Sequence, residues 1–188
     1  MLELKFSPFP ELQSERLVLR QLRENDIDEV YELRLDRATA RYIPEALAQT
    51  REHALEHIQA VNKEIAANKS INWAITTKDS GELIGLIGLV RIKPSNHRAE
   101  IGYILHESHR GQGLMSEALK LILEYAFSTL GFNSVIAVID PNNLASAKIL
   151  ERHGFKKEAH LRENIRYKDV YRDTVIYGLL KREFDQKI

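Results

Sequence analysis

The sequence predicts one α/β domain: a twisted, mixed but mostly antiparallel sheet with helices on both faces. Three observations carry that expectation. Ile71–Thr77, residues 83–92 and Arg98–Leu105 are strand-like runs, joined by the turn signals Asp79-Ser80-Gly81 and Pro94-Ser95-Asn96, which fits an antiparallel meander. A long amphipathic helix begins at Leu114. Toward the C-terminus, residues 155–167 and Val170–Leu180 fit a long hairpin around Lys168-Asp169.

The elements follow in order. Residues 17–22 read as a first strand. Asn25 suits a helix N-cap with Asp26 and Asp28 in the first turn, and Ile27, Val30, Tyr31 and Leu35 recur at helical spacing. Residues 36–49 are irregular, and Pro44 breaks any helix there. Thr50 can cap a second helix with the apolar face Ala54, Leu55, Ile58, Val61 and Ile65, fading at Asn68. Residues 83–92 are apolar apart from Arg91, as in a strand covered on both faces; Gly85 and Gly88 inside it suggest a bulge or a close backbone approach.

In the helix from Leu114, residues Leu114, Ala118, Leu121, Ile122, Tyr125 and Thr129 form one stripe, which Met115, Leu119 and Ala126 widen. Gly131 fits just past its end. Ser134–Ile139 is a short buried strand, and Asp140-Pro141-Asn142-Asn143 turns the chain into a helix that ends at His153 with Gly154 as its stop. No repeat, low-complexity tract or linker divides the chain, so residues 1–188 read as a single domain.

Composition narrows the function. An apolar fraction of 44% supports a real core. Lys plus Arg and Asp plus Glu balance at 27 each, which argues against a dedicated nucleic-acid binder while leaving room for a local patch. With no cysteine there is no disulfide framework, thiolate zinc site or cysteine nucleophile, which is compatible with the cytoplasm. Residues 1–10 hold prolines and no apolar stretch of the signal-peptide kind, and no run reaches transmembrane length. The expectation is a cytoplasmic protein with no membrane and no direct nucleic-acid partner, as monomer or homodimer. His53 and His57 have the i, i+4 spacing of a metal pair but no obvious third ligand, so no metal is expected.

The chemistry concentrates in His109-Arg110-Gly111-Gln112-Gly113-Leu114-Met115-Ser116-Glu117-Ala118. Two glycines stand at the mouth of a helix, directly after a strand. The first turn of a helix has N–H groups without intrahelical partners, and the helix dipole adds partial positive charge there. A diphosphate fits that place without needing a lysine. Arg110 can add charge beside it, or serve as an ordinary solvated loop arginine.

Three segments in register resemble the GNAT acyltransferases, and more narrowly their Rim-type protein N-terminal acetyltransferases. Residues 9–20, Phe-Pro-Glu-Leu-Gln-Ser-Glu-Arg-Leu-Val-Leu-Arg, resemble that subgroup's opening strand. Ala99-Glu100-Ile101-Gly102-Tyr103-Ile104-Leu105, leading into Arg110-Gly111-Gln112-Gly113, is similar to the acetyl-CoA strand and pyrophosphate loop. Asn143-Leu144-Ala145-Ser146, with Leu150-Glu151-Arg152-His153-Gly154-Phe155, is similar to the second cofactor-facing helix. The loop departs from the family at Ser108, where Gln or Arg is common.

The resemblance implies a GNAT fold of about six or seven strands, acetyl-CoA as cosubstrate, and an amine acceptor. It places Arg110, Gly111, Gln112, Gly113, Leu114 and Met115 at the phosphates. The main chain of Ile104 and Leu105 would lie along the pantetheine arm and polarise the thioester carbonyl, where ordinary ladder bonds are the rival reading. Asn143 would cap its helix and bond the pantetheine amides. Glu100 is either the proton acceptor for the amine, directly or through water, or half of a structural salt bridge. Ser146 either offers its hydroxyl to the departing thiolate or bonds back to its own helix. Tyr42, Pro44 and the 36–49 region would line the acceptor entrance. The leading acceptor is a protein N-terminal amine, such as alanine or serine of a ribosomal protein. The alternatives are acetylation of a polyamine or amino sugar, and a non-catalytic acyl-CoA-binding module.

Overall fold

The computed structural model describes residues 2–35, 42, 50–167 and 169–186. In chain order the strands are β1 (Leu12–Gln13), β2 (Leu17–Arg20), β3 (Ile71–Thr77), β4 (Leu83–Lys93), β5 (Arg98–Leu105), β6 (Ser134–Ile139), β7 (Lys156–Tyr167) and β8 (Val170–Leu180). The helices are α1 (Ile27–Leu35), α2 (Arg51–Ala66), α3 (Leu114–Glu124), α4 (Leu144–Arg152) and α5 (Lys181–Asp185).

The eight strands form one sheet in the order β1-β2-β3-β4-β5-β6-β8-β7. Every pair is antiparallel except β5 with β6, which α3 connects. The mixed, mostly antiparallel sheet is as expected. The additional strand is the two-residue β1, too short for any periodicity to reveal.

Each face of the sheet has its own core. Ile84, Ile87, Leu89, Ile101, Val135, Ala137 and Val175 pack on one face with Leu114, Met115, Ala118, Leu119 and Ile122 of α3 and Leu150 of α4. Ala74, Leu83 and Leu86 pack on the other with Val30 and Leu33 of α1 and Ala54 and Ile58 of α2. These are the apolar stripes that the helical spacings describe. Trp73 is fully buried in the larger core. It meets Phe9 and Tyr125 edge-on, at 5.8 and 5.6 Å, and its indole N–H donates to Pro10 O at 2.7 Å. A buried indole needs such an acceptor, and this one ties the N-terminal arm to the sheet.

Local signals largely explain the ends of the elements. Thr50 Oγ1 accepts from His53 N at 3.3 Å and caps α2. Asn143 Oδ1 accepts from Ser146 N at 3.1 Å and caps α4. Asn25 is not the cap of α1: it lies inside a 3-10 turn, Glu24–Asp26. The neighbouring Asp26 closes that turn, accepting from Arg23 N at 2.7 Å while buried against the guanidinium of Arg20. After Glu124, α3 widens into a π-turn, Tyr125–Thr129, before Gly131. The close approach inferred for Gly88 is real, since a Cβ there would lie 2.0 Å from Asn72 Oδ1 and 2.7 Å from Ile71 O.

Candidate active site

The site begins where two strands part. The parallel ladder of β5 with β6 runs from Arg98↔Ser134 to Glu100↔Ile136 and stops. Each strand continues, β5 against β4 as far as Gly85↔Leu105 and β6 against β8 as far as Ile139↔Val175. From Ile101 onward the sheet is therefore split, with a main-chain edge of β5 left without a strand neighbour.

The register identifies the groups on that edge. His106 N donates to Ile84 O at 2.8 Å, which makes the pair next to Gly85↔Leu105 a hydrogen-bonded one. Bonded and non-bonded pairs alternate in an antiparallel ladder. Ile104 and Gly102 thus direct their N–H and C=O at β4, while Tyr103 and Leu105 direct theirs into the split; the Ile101 N–H is taken by Ile136 at the last parallel rung, and only its C=O reaches the opening. This corrects the expectation for Ile104, whose main chain is used by the sheet. The Leu105 carbonyl accepts from Nε and Nη2 of Arg110, both at 3.3 Å. Arg110 therefore folds back onto the strand end, where it fastens the loop to β5.

Side chains divide the other way. Ile101 and Leu105 belong to the core under α3 and α4, and Tyr103 packs against it. Glu100, Gly102 and Ile104 alternate with them and face the α1 and α2 side, where Ile104 touches the smaller core. A Cβ on Gly102 would meet nothing within 4 Å, so the surface between Glu100 and Ile104 is open.

Glu100 stands at the last rung before the split. Its side chain is 12% exposed, and it is paired with Arg91, whose side chain is 69% exposed. Burial raises its carboxyl above the usual carboxylate range, against the opposing charge and hydrogen bond of Arg91 and the charge of Arg98. The salt bridge and the elevated basicity coexist in one residue.

The glycine loop lies beyond the end of β5. Gly111 and Gly113 have φ of 75° and 79°, a region that costs a side-chain-bearing residue about 1–2 kcal/mol. A Cβ at Gly111 would meet nothing within 4 Å, and one at Gly113 only Arg16 Nη2 at 3.6 Å. Gly113 is the N-cap of α3 and supplies no side-chain cap. The Glu117 N–H bonds back to Gly113 O at 3.0 Å, and the N–H groups before it open toward the loop. Leu114 and Met115 bury their side chains, so they can offer an anion only main-chain N–H groups. Gln112 Nε2 donates to Ser108 O at 3.0 Å. Ser108 Oγ lies 2.7 Å from His106 Nδ1 and 2.9 Å from His109 Nδ1, so the departure from the family pattern is absorbed into the loop.

Two supports were not anticipated. Arg16 Nη1 donates to Gln112 O at 3.0 Å, and its Nη2 lies 2.5 Å from Glu117 Oε2. Ser116 Oγ lies 2.7 Å from His153 Nε2, joining the start of α3 to the end of α4. All five residues lie in segments singled out by sequence, yet no local spacing pairs them.

Ser146 sits in the first turn of α4, and the phenol of Tyr103 faces it. Burial pushes that phenol up to about 12, with the Ser146 hydroxyl pulling the other way. Tyr42 OH donates to Asn142 O at 3.2 Å, bringing that residue to the turn before α4. Pro44 and the other expected entrance residues lie outside the described set. His57 is shielded on α2 beside the charge of Arg34. Among the described residues, no group of three His, Asp or Glu could hold a metal ion.

The fold is that of an acyl-group transferase, and comparison with known proteins agrees. Residues 16–156 match the family described as Acetyltransferase (GNAT) domain. The chain is 32% identical over 173 residues to Uncharacterized N-acetyltransferase YoaA of Bacillus subtilis (strain 168), covering 92% of this chain and 98% of that one. It is 29% identical over 176 residues to the Ribosomal-protein-serine acetyltransferase of Escherichia coli (strain K12), covering 88% and 93%. A crystal structure of a GNAT-family acetyltransferase from Bacillus anthracis superposes with a TM-score of 0.82 at 26% identity, covering 93% of this chain and 100% of that one. The chain belongs to the GNAT acetyltransferase family and is an N-acetyltransferase. The family uses acetyl-CoA as cosubstrate.

Proposed function

We propose that this enzyme transfers the acetyl group of acetyl-CoA to the α-amine at a protein N-terminus. The observation that carries the reading is the split between β5 and β6, with Glu100 on one face of the sheet and Ser146 on the other. The amine adds to the thioester carbonyl out of its plane, and the sulfur leaves from the tetrahedral adduct; a gap through the sheet lets a proton acceptor reach the amine from one face and a hydroxyl reach the sulfur from the other.

The N–H groups at the start of α3 suit the pyrophosphate. The N–H groups of Tyr103 and Leu105 suit the pantetheine arm and the thioester carbonyl, where a fixed dipole meets developing charge. Glu100 accepts the proton of the attacking amine, directly or through water. The N–C bond forms as the carbonyl opens to a tetrahedral adduct, the C–S bond breaks as the carbonyl reforms, and Ser146 donates a hydrogen bond to the departing sulfur. A thiol of pKa about 8.5 leaves readily, so this contribution is small. Without a cysteine there is no thiol for a cysteine acyl-enzyme, and direct attack relies on holding amine and thioester in line.

An α-amine, of pKa about 8, loses its proton more readily than a lysine at about 10.4, which suits a carboxylate base. The similarity to a ribosomal-protein-serine acetyltransferase supports the same acceptor class. The test is free-thiol release from acetyl-CoA with peptides beginning in serine or alanine, with spermidine, and with an amino sugar. Highest kcat/KM on the peptides is expected. Preference for either small amine overturns the peptide reading, and acetyl-CoA binding without turnover of any acceptor overturns catalysis itself.

A further inference from the structure

We propose that Tyr103 is a positioning residue for Ser146, donating to its Oγ when a sulfur occupies the split and thereby turning the serine O–H onto that sulfur. The inference rests on the acetyl-CoA reading above and adds a residue to it.

The starting point is an unmet group. The phenolic oxygen of Tyr103 is buried and makes no hydrogen bond of normal geometry, although the Ser146 hydroxyl is near enough to act on it. Buried polar groups are paired in the great majority of cases, and an exception asks what would complete it. Tyr103 lies on the face of β5 that carries Ile101 and Leu105, in the core that also holds Met115 of α3 and receives Ala147 of α4. Its main chain lines the split, and the Ser146 hydroxyl is the side-chain group that acts on its phenol. The orphaned oxygen therefore lies beside the site rather than in a remote part of the core.

The serine is held for this role. Its N–H is bonded to Asn143 Oδ1, which fixes the first turn of α4 and leaves the hydroxyl as the free rotor. The phenol stays protonated across the working pH range, because burial pushes it up to about 12. It can donate and does not act as a base. A serine hydroxyl has one proton to give and lone pairs to receive with. When negative charge develops on a sulfur next to Ser146, its O–H turns there, and its lone pair is exposed to Tyr103. The chain Tyr103 O–H to Ser146 O–H to sulfur then closes, with each bond polarising the next. No proton crosses it: the C–S bond breaks, the sulfur leaves as thiolate, and water supplies its proton.

The test is Tyr103→Phe, Ser146→Ala and the double variant, each measured without ligand, with coenzyme A and in turnover. Tyr103→Phe removes only an unpaired oxygen, so the ligand-free melting temperature is expected to hold or rise. The melting shift produced by coenzyme A should shrink. The kcat should fall about 3–10-fold with KM for acetyl-CoA near wild type, the size expected for one lost hydrogen bond. The double variant should be no slower than Ser146→Ala. A Tyr103→Phe protein with wild-type kcat and coenzyme A shift overturns the proposal, as does a double variant whose losses multiply. A wild-type protein with no coenzyme A shift overturns the cofactor reading instead, so the two failures are distinct.

Discussion

Glu117, in the first turn of α3, is bound by Arg16, 101 residues earlier, through both the guanidinium and the main-chain N–H. Ser14 Oγ adds a third bond at 2.5 Å. Burial alone would raise this carboxyl, but the bonds from Ser14 and Arg16 outweigh it and hold it below the usual carboxylate range. Because its folded pKa is depressed, its stabilisation is present above the unfolded value near 4.3 and is lost as pH falls through the folded value. Glu117→Gln is expected to lower stability at pH 7 by about 1 kcal/mol, discounted for the exposure of Arg16, and to flatten the acid limb of the denaturation profile. Urea melts from pH 3 to 7 check both.

Arg16→Ala acts on the loop itself. It removes the donor to Gln112 O, so the loop loses an anchor on the side away from β5. Coenzyme A affinity by calorimetry is expected to weaken about 3–10-fold, the effect of one hydrogen bond.

Glu100→Gln separates chemistry from stability. A carboxyl whose folded pKa is raised binds its proton more tightly in the fold, so its charge costs stability above that pKa. The variant should therefore melt no lower than wild type at pH 7, while kcat falls about 100-fold or more for loss of a general base. In the wild type, kcat/KM should rise with pH through the elevated Glu100 value. Arg91→Ala removes influences that lower this value, so the rising limb should move to higher pH. An unmoved limb would assign it to another group.

The open surface at Gly102 offers a steric test. Valine is at home in a strand, and its Cβ would enter empty space, so Gly102→Val should fold normally. It stands on the face carrying Glu100, away from the core of α3 and α4. The expected result is a KM for the amine raised about 10-fold or more and unchanged coenzyme A affinity, consistent with about 1.4 kcal/mol of obstruction. Equal losses for both substrates would refute the two-face arrangement.

His57 is expected to make the fold acid-sensitive for a reason unrelated to catalysis. Burial, helped by the charge of Arg34, lowers its pKa to about 4. Between the unfolded value near 6.5 and that folded value, the unfolded chain binds more protons, so stability falls as pH drops through this window. The loss is of the order of 2–3 kcal/mol. His57→Gln should blunt it in melts taken from pH 7 to 4.

Regular elements were legible because the core imposes their periods. Strands β3, β5, β6 and β8 have the expected bounds, and the caps at Thr50 and Asn143 are as read. The glycine loop was legible because positive φ and an open helix end leave a local signature. The 3-10 turn that takes in Asn25 was not, since the Asp26 carboxylate that closes it is held by Arg20, six residues earlier. The choice between Ile104 and its neighbours also failed, because side-chain patterns do not say which edge a carbonyl faces; register does. The split itself is visible only once both neighbours of β5 are known. Arg16 with Glu117, and Ser116 with His153, are meetings of distant segments that no single stretch announces.

The place of β8 between β6 and β7 has a consequence for synthesis. A ribosome delivers residues 156–167 before the partner to which they attach exists, and β6 waits through the same interval with a bare edge. At about 5–20 residues per second, that interval lasts seconds, long enough for another chain to dock on the unfinished border. A nascent polypeptide halted before residue 170 would already contain the glycine loop and Glu100, yet the strand backing Glu100 would have support on one side only. Such a fragment is expected to bind chaperones and not coenzyme A.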